Sequence, residues 1–131
     1  MLKAAAAVKK RPLLWGITVL TSFDEKSFAR AGFKNKIEKA VFSLAALGAE
    51  NGADGVVCSP LEAACVKKRF GAVLQVVTPG IRLEAGGDDQ KRTLTPAQAK
   101  AAGSNFIVVG RPILKAADPA AAVRNILEAI Q

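Results

Sequence analysis

The sequence contains no histidine and no tyrosine, and it has only one tryptophan and two cysteines. Cys58 and Cys65 have no histidine with which to complete a zinc site, and we expect both thiols to be buried and reduced in the cytoplasm. Aromatic residues on which nucleic-acid bases stack are scarce. We therefore expect no nucleic-acid partner, although the net charge of +8 keeps a basic nucleic-acid binder open as an alternative.

The sequence also lacks any apolar run that approaches the roughly 20 residues needed to cross a bilayer. We therefore expect no membrane partner. The opening segment, residues 1–12, is short, alanine-rich and basic, and it ends in Lys9, Lys10, Arg11 and Pro12. This pattern favours the end of a helix over a signal peptide. With 50% hydrophobic and 23% charged residues, the composition predicts one globular domain over residues 1–131.

Four apolar runs recur along the chain, at residues 13–20, 55–58, 73–77 and 106–109. None alternates cleanly between apolar and polar residues. Nearly continuous apolar strands are typical of a parallel sheet that is covered on both faces.

Helical patterns lie between these runs. Residues 36–51 place Ile37, Ala40, Val41, Leu44 and Leu47 at spacings of three and four. Further helices begin after the capping residues Ser59, Thr95 and Asp118, each of which precedes a proline. The chain thus predicts a helix end followed by four βα units, whereas a closed (β/α)8 barrel needs about 250 residues. This pattern is expected of part of a larger barrel, and we predict an α/β fold built on the (β/α)8 TIM-barrel plan.

In such barrels the site lies at the C-terminal ends of the strands. Thr21 follows the first run, and Ser59 follows the second, where it is interpreted as a helix cap. The third run leads into a long polar loop that contains Arg82 and Gln90, both suited to a bound phosphate.

The last run ends in Gly110, Arg111 and Pro112. A glycine at a strand end lets an anion approach the backbone, Arg111 adds a charge beside it, and Pro112 predicts a short helix. We therefore predict phosphate binding at Gly110 and Arg111.

Five segments occur in a specific order: TVLTS at 18–22, DGVVCS at 54–59, VTPGIR at 77–82, GDDQKR at 87–92 and VVGRPI at 108–113. Together they resemble strands five to eight of the orotidine 5′-phosphate decarboxylase family. The resemblance implies that the chain forms the C-terminal half of a (β/α)8 TIM barrel. The resemblance implies that Thr21 contacts the pyrimidine edge and that Arg82, Gln90, Gly110 and Arg111 hold the 5′-phosphate, with Gln90 also near the base. It further implies conversion of orotidine 5′-monophosphate (OMP) to UMP and carbon dioxide in pyrimidine synthesis, without cofactor or metal.

The chain departs from this family in one respect. The family carries its catalytic lysine and aspartates on strands one to three, with an Asp-x-Lys signature. Asp24 and Lys26 have that order here, but they lie among loop residues. We therefore expect no catalytic residue in this chain and no activity in isolation. The expected partner is a missing N-terminal half-barrel or, as an alternative, a second copy that covers the open sheet edges of a phosphate-binding module.

Overall fold

The structure is a computed structural model that describes residues 1–83 and 91–131. Its four strands form one parallel sheet in the order β1-β2-β3-β4. Their bounds are Trp15–Ile17 for β1, Gly55–Val57 for β2, Gln75–Thr78 for β3 and Phe106–Ile107 for β4. The predicted α/β architecture with a parallel sheet is confirmed, although each paired strand is shorter than, or displaced from, the apolar run that predicted it.

The helices connect these strands in the predicted alternation. Their bounds are Leu2–Ala6 for α1, Glu25–Arg30 for α2, Ile37–Glu50 for α3, Pro60–Phe70 for α4, Pro96–Ala101 for α5, Arg111–Leu114 for α6 and Pro119–Ala129 for α7. The three predicted caps are confirmed, because the side chains of Ser59, Thr95 and Asp118 each accept a backbone N–H from the first turn of their helix. Within the described residues, no helix has the length and apolar character needed to span a membrane.

Helix α2 corrects the interpretation of Asp24 and Lys26 as loop residues. Asp24 is the N-cap of α2, and its carboxylate accepts the backbone N–H of Ser27 at 2.7 Å while the Ser27 hydroxyl accepts the Asp24 N–H. The Asp24 carboxylate also pairs with Lys91 at 2.8 Å. These hydrogen bonds hold the pKa of Asp24 below its usual range. Asp24 thus has a structural role as a helix cap.

The main core lies between the sheet and the helices. It contains Val56 and Val76 from the strands and Val41, Ala45 and Val66 from the helices. The helix predicted over residues 36–51 is confirmed as α3, and its buried stripe consists of Ile37, Val41, Ala45 and Gly48.

Leu44 and Leu47 lie beside that stripe, and they are 40% and 54% exposed. The spacing of apolar residues alone does not distinguish the face that carries Val41 and Ala45 from the face that carries Leu44 and Leu47, since both have three-and-four periodicity. Contact with the sheet selects one of them.

The opposite face of the sheet is apolar and open. Trp15 of β1 and Phe106 of β4 have ring centroids 5.3 Å apart. A flat sheet would separate these outer strands by about 14 Å, three spacings of about 4.8 Å. The sheet therefore curls toward this inner face. Gly55 lies beneath Trp15, where an added Cβ would come within 2.8 Å of the indole ring.

The N-terminal segment is hydrogen-bonded to Asp54, the residue that precedes β2. The Arg11 guanidinium donates to both carboxylate oxygens of Asp54, at 2.5 and 3.1 Å, and to the Ala6 carbonyl oxygen at 3.2 Å. Asp54 also accepts the Leu14 backbone N–H. These bonds hold the pKa of Asp54 below its usual value of 3.8. The predicted N-terminal helix is confirmed but ends at Ala6, so Arg11 reaches back to it from outside.

Candidate functional site

A cavity of about 400 Å³ opens at the C-terminal ends of the strands, a volume within the range of small-molecule sites. Its lining comes from all four strand ends and the loops that follow them: Ile17, Val19, Leu20, Thr21, Val57, Cys58, Pro79, Gly80, Arg82, Val108, Gly110, Arg111 and Leu114. Four of the five residues predicted to bind substrate are in this set. The fifth, Gln90, lies outside the described residues.

Thr21 lies where two loops meet at the cavity wall. It is 6% exposed, and its carbonyl oxygen accepts the Lys91 backbone N–H at 3.2 Å. Gly80 packs against it with a φ of +77°, and a Cβ at that position would lie 3.2 Å from Thr21 Cγ2. Glycine adopts this positive φ without strain and leaves room for the contact. The close packing fixes Thr21 at the cavity wall.

Arg82 begins the long loop after β3. Its backbone N–H donates to the Leu94 carbonyl oxygen at 3.0 Å, next to a parallel bridge between Ile81 and Leu94. Its guanidinium Nη1 donates to the Ile81 carbonyl oxygen at 2.7 Å. The two ends of the loop are thus hydrogen-bonded to each other next to Arg82, and the Arg82 guanidinium group is held at the cavity.

Gly110 and Arg111 follow β4. Gly110 is the N-cap residue of α6, and a Cβ built on it would meet no atom within 4 Å. Its backbone is therefore accessible from the cavity. Arg111 is the half-buried first residue of α6, and Pro112 follows it, which confirms the predicted short helix.

All the charged side chains among the described lining residues of the cavity are positive. Two arginines line it, and none of its described lining residues is a lysine, aspartate or glutamate. Such a wall favours an anionic ligand, because guanidinium groups form charge-assisted hydrogen bonds with phosphate and carboxylate. The described part of this wall also supplies no side chain suited to general acid or base chemistry at pH 7. Among the described residues, no cluster of three or more acidic or cysteine side chains is arranged to hold a metal ion.

A buried ion pair beneath the cavity was missed in the sequence. Arg92 Nη1 lies 2.6 Å from Glu62 Oε1, and the two residues are 7% and 9% exposed. Burial raises the pKa of the Glu62 carboxyl, although the Arg92 charge acts in the opposite direction. The partners are 30 residues apart, and no local pattern joins them.

The expectation that both thiols are buried is wrong for one of them. Cys58 is 1% exposed and packs in the core, where burial raises its pKa to about 12, with a smaller effect from the Glu62 carboxylate. Cys65 is exposed. It lies on α4 outside the buried positions Ala63 and Val66, beside a groove of about 690 Å³ between α3 and α4. That groove is larger than the cavity, but it lies between two helices and away from the strand ends.

The two thiols should therefore differ sharply in reactivity, because only an accessible thiolate attacks a disulfide reagent. Titration of the native chain with 5,5′-dithiobis(2-nitrobenzoate) at pH 8 is expected to modify Cys65 rapidly and Cys58 only after denaturant is added. The Cys65→Ser variant serves as the control and should show no fast phase. Rapid modification of Cys58 in that variant would contradict its burial.

Residues 1–126 match the family model described as orotidine 5′-phosphate decarboxylase / HUMPS family. The chain is 47% identical over 126 residues to an orotidine 5′-phosphate decarboxylase of Neisseria gonorrhoeae, a match that covers 95% of this chain and 51% of that protein. It is 49% identical over 125 residues to the enzyme of the same name from Chromobacterium violaceum, again with 95% and 51% covered.

A solved structure agrees with these relatives. The crystal structure of orotidine 5′-phosphate decarboxylase from Lactobacillus acidophilus superposes with a TM-score of 0.80 at 36% identity, covering all of this chain and 58% of that one. The predicted half of a TIM barrel is confirmed, and the chain spans about half the length of the relatives it matches. Because the family model, the relatives and the solved structure all match it over nearly its whole length, the chain belongs to the orotidine 5′-phosphate decarboxylase family.

Proposed function

We propose that this chain supplies the phosphate- and pyrimidine-binding half of an orotidine 5′-phosphate decarboxylase, which forms UMP and carbon dioxide from OMP. One observation carries the proposal. Thr21, Arg82 and the adjacent pair Gly110 and Arg111 come from three distant parts of the sequence and line a single cavity at the strand ends. This is the place where (β/α) barrels bind phosphate and carry out their chemistry.

Each of these residues has a distinct role in the proposal. Arg82 and Arg111 grip the phosphate oxygens with planar, permanently charged guanidinium groups. Gly110 lets the phosphate approach the backbone, since no side-chain atom fills the space above it. Thr21 contacts the pyrimidine edge. Gln90 is proposed to contact both phosphate and base, although it lies outside the described residues.

The chemical step is assigned to residues outside this chain. No cavity-lining residue among those described carries a carboxylate or an amine, so nothing in the described wall moves a proton at neutral pH. The phosphate group does not react. The free energy of binding it is available to orient the substrate and to lower the activation barrier at the reacting carbon atoms. The proposed reaction uses no metal or cofactor.

The proposed partner is a complementary half-barrel. The inner face of the sheet exposes apolar side chains, with Ile17 and Val108 66% and 52% exposed. In addition, β1 and β4 each have one unpaired edge in the sheet order. A closed barrel would bury this face and pair both edges. A second copy of the chain is the alternative occupant, and it would make the protein a phosphate-binding dimer. The extent of the domain over residues 1–131 and the cytoplasmic location remain predictions.

The binding half of the proposal is tested by titrating the 131-residue chain with UMP and with uridine, which lacks the phosphate, and following amide shifts by NMR. We expect UMP to bind weakly and to shift the amide resonances of Thr21, Gly80 and Gly110. Uridine is expected to bind at least tenfold more weakly, since a charge-assisted hydrogen bond contributes about 1.5–3 kcal/mol. Equal affinities would contradict phosphate recognition. Light scattering on the same sample separates a monomer from the alternative dimer.

A further inference from the structure

We propose that Arg92 is a positioning residue of the candidate site, holding the loop ends after β1 and β3 in the arrangement that places Thr21 and Arg82 at the cavity. Arg92 is not among the cavity-lining residues, so it acts through the chain segments that it contacts. The inference rests on the proposed function for the identity of the ligand. The hold on the two loops is a property of the protein alone.

The Arg92 guanidinium uses each of its three nitrogens. Nε donates to the Phe23 carbonyl oxygen at 3.0 Å, and Nη2 donates to the carbonyl oxygens of Val19 and Leu20 at 3.2 and 3.0 Å. Nη1 donates to Glu62 at 2.6 Å. One side chain thus binds the backbone on both sides of Thr21 and links it to the first turn of α4.

The main chain around Arg92 completes the connection. The Ser59 hydroxyl donates to the Arg92 carbonyl oxygen at 3.1 Å. The neighbouring Lys91 N–H donates to the Thr21 carbonyl oxygen, and a Cβ at Gly80 would come within 3.2 Å of the Arg92 carbonyl oxygen. The ends of β1, β2 and β3 are therefore packed around a single residue directly below the cavity.

Stability alone does not explain this ion pair. A buried pair loses its hydration, and replacing both partners with apolar residues is often neutral or stabilising. What an apolar pair does not provide is a set of directed donors to three backbone carbonyl groups. A lysine would not provide it either, because its ammonium is a compact charge without the planar fork. The geometry therefore assigns Arg92 a role in placing the loop backbone.

Three variants of the 131-residue chain separate placement from stability. Arg92→Met leaves Glu62 buried without its partner and is expected to lower the melting temperature. Glu62→Met/Arg92→Met removes both charges and should regain much of that loss. Lys91→Met is the matched control, since it removes a neighbouring cation whose pair with Asp24 is nearly half exposed and adds little stability.

The first readout needs no ligand. Amide hydrogen exchange in the double variant is expected to be at least tenfold faster at Phe23 and Lys91, whose N–H groups bond within the Arg92-held segment, and unchanged at Cys58, whose N–H pairs with β3. Unchanged exchange at Phe23 and Lys91 would overturn the role of Arg92. Equal acceleration at Cys58 would do the same, because it would indicate a general loss of stability.

The second readout is UMP affinity. A fourth variant, Arg92→Lys, is included in this comparison. This variant and the double variant are expected to bind UMP about 10- to 100-fold more weakly than the unmodified chain, because a displaced Arg82 loses charge-assisted hydrogen bonds to the phosphate. The Lys91→Met control should keep its affinity. Full affinity in the double variant would overturn the positioning role. If the unmodified chain itself prefers UMP no more than uridine, the proposed function fails, while the exchange experiment still decides whether Arg92 holds the loops.

Discussion

A fusion protein is expected to form UMP from OMP with a rate enhancement of at least about 10⁶, the lower range for enzymes. In this fusion, the chain follows the part of the Neisseria gonorrhoeae relative that it does not match. The 131 residues alone are expected to give no rate above the uncatalysed reaction. The reason is the division of roles in the proposed function: the described cavity wall offers two guanidinium groups for binding but no acid or base. UMP formation, followed by chromatography, measures both rates.

Two controls make this result informative. The unmatched part of the relative, expressed alone, must be inactive, since otherwise the chain contributes nothing. The joined protein must also bury the inner face of the sheet. Trp15 is 41% exposed in this chain, so water should quench its fluorescence less once that face is covered. Decarboxylation by the isolated chain would contradict the assignment of all catalytic residues to the other half. An inactive joined protein with a buried Trp15 would contradict the decarboxylase proposal itself.

Replacement of Arg111 by alanine in the joined protein is expected to reduce kcat/KM for OMP about 10- to 100-fold, since a hydrogen bond to a charged group contributes about 1.5–3 kcal/mol. Arg111 lines the cavity beside the accessible backbone of Gly110. Lys115→Ala is the matched control, because Lys115 is an exposed cation at the end of the same short helix and lies outside the cavity. Steady-state kinetics on the two variants measure the difference.

Binding measurements identify the part of the ligand that Arg111 contacts. The Arg111→Ala variant should lose affinity for UMP and keep its weak affinity for uridine, since only UMP carries the phosphate. A parallel loss for both ligands would indicate that the substitution disturbs the cavity as a whole. Unchanged UMP affinity would remove Arg111 from the phosphate site, and Arg82 would then be the remaining cation among the described lining residues.

Local features of the sequence predicted most of the secondary structure. Ser59, Thr95 and Asp118 cap helices as expected, because each can accept a backbone N–H at a helix start and each precedes a proline. Helix α2 was missed even though Asp24 and Ser27 form a capping box. That signal is short and has no proline beside it, unlike the three caps that were predicted.

Side-chain burial was harder to predict. Cys65 was expected in the core and is exposed, and Leu44 and Leu47 carry the correct helical period but lie beside the face that packs on the sheet. Periodicity defines which residues share a face of a helix. It does not define which of two apolar faces meets the sheet, since that depends on where the helix is docked.

The sequence by itself determined the α/β class, the order of the βα units and the residues that follow each strand, because these depend on caps, breakers and apolar runs within a few residues of one another. Tertiary structure alone decided that Thr21, Arg82, Gly110 and Arg111 share one cavity and that Arg92 and Glu62 meet beneath it. Parallel pairing brings the strand ends to one edge of the sheet. A buried charge then selects its partner by proximity in space, at a separation of 30 residues that no local pattern reveals.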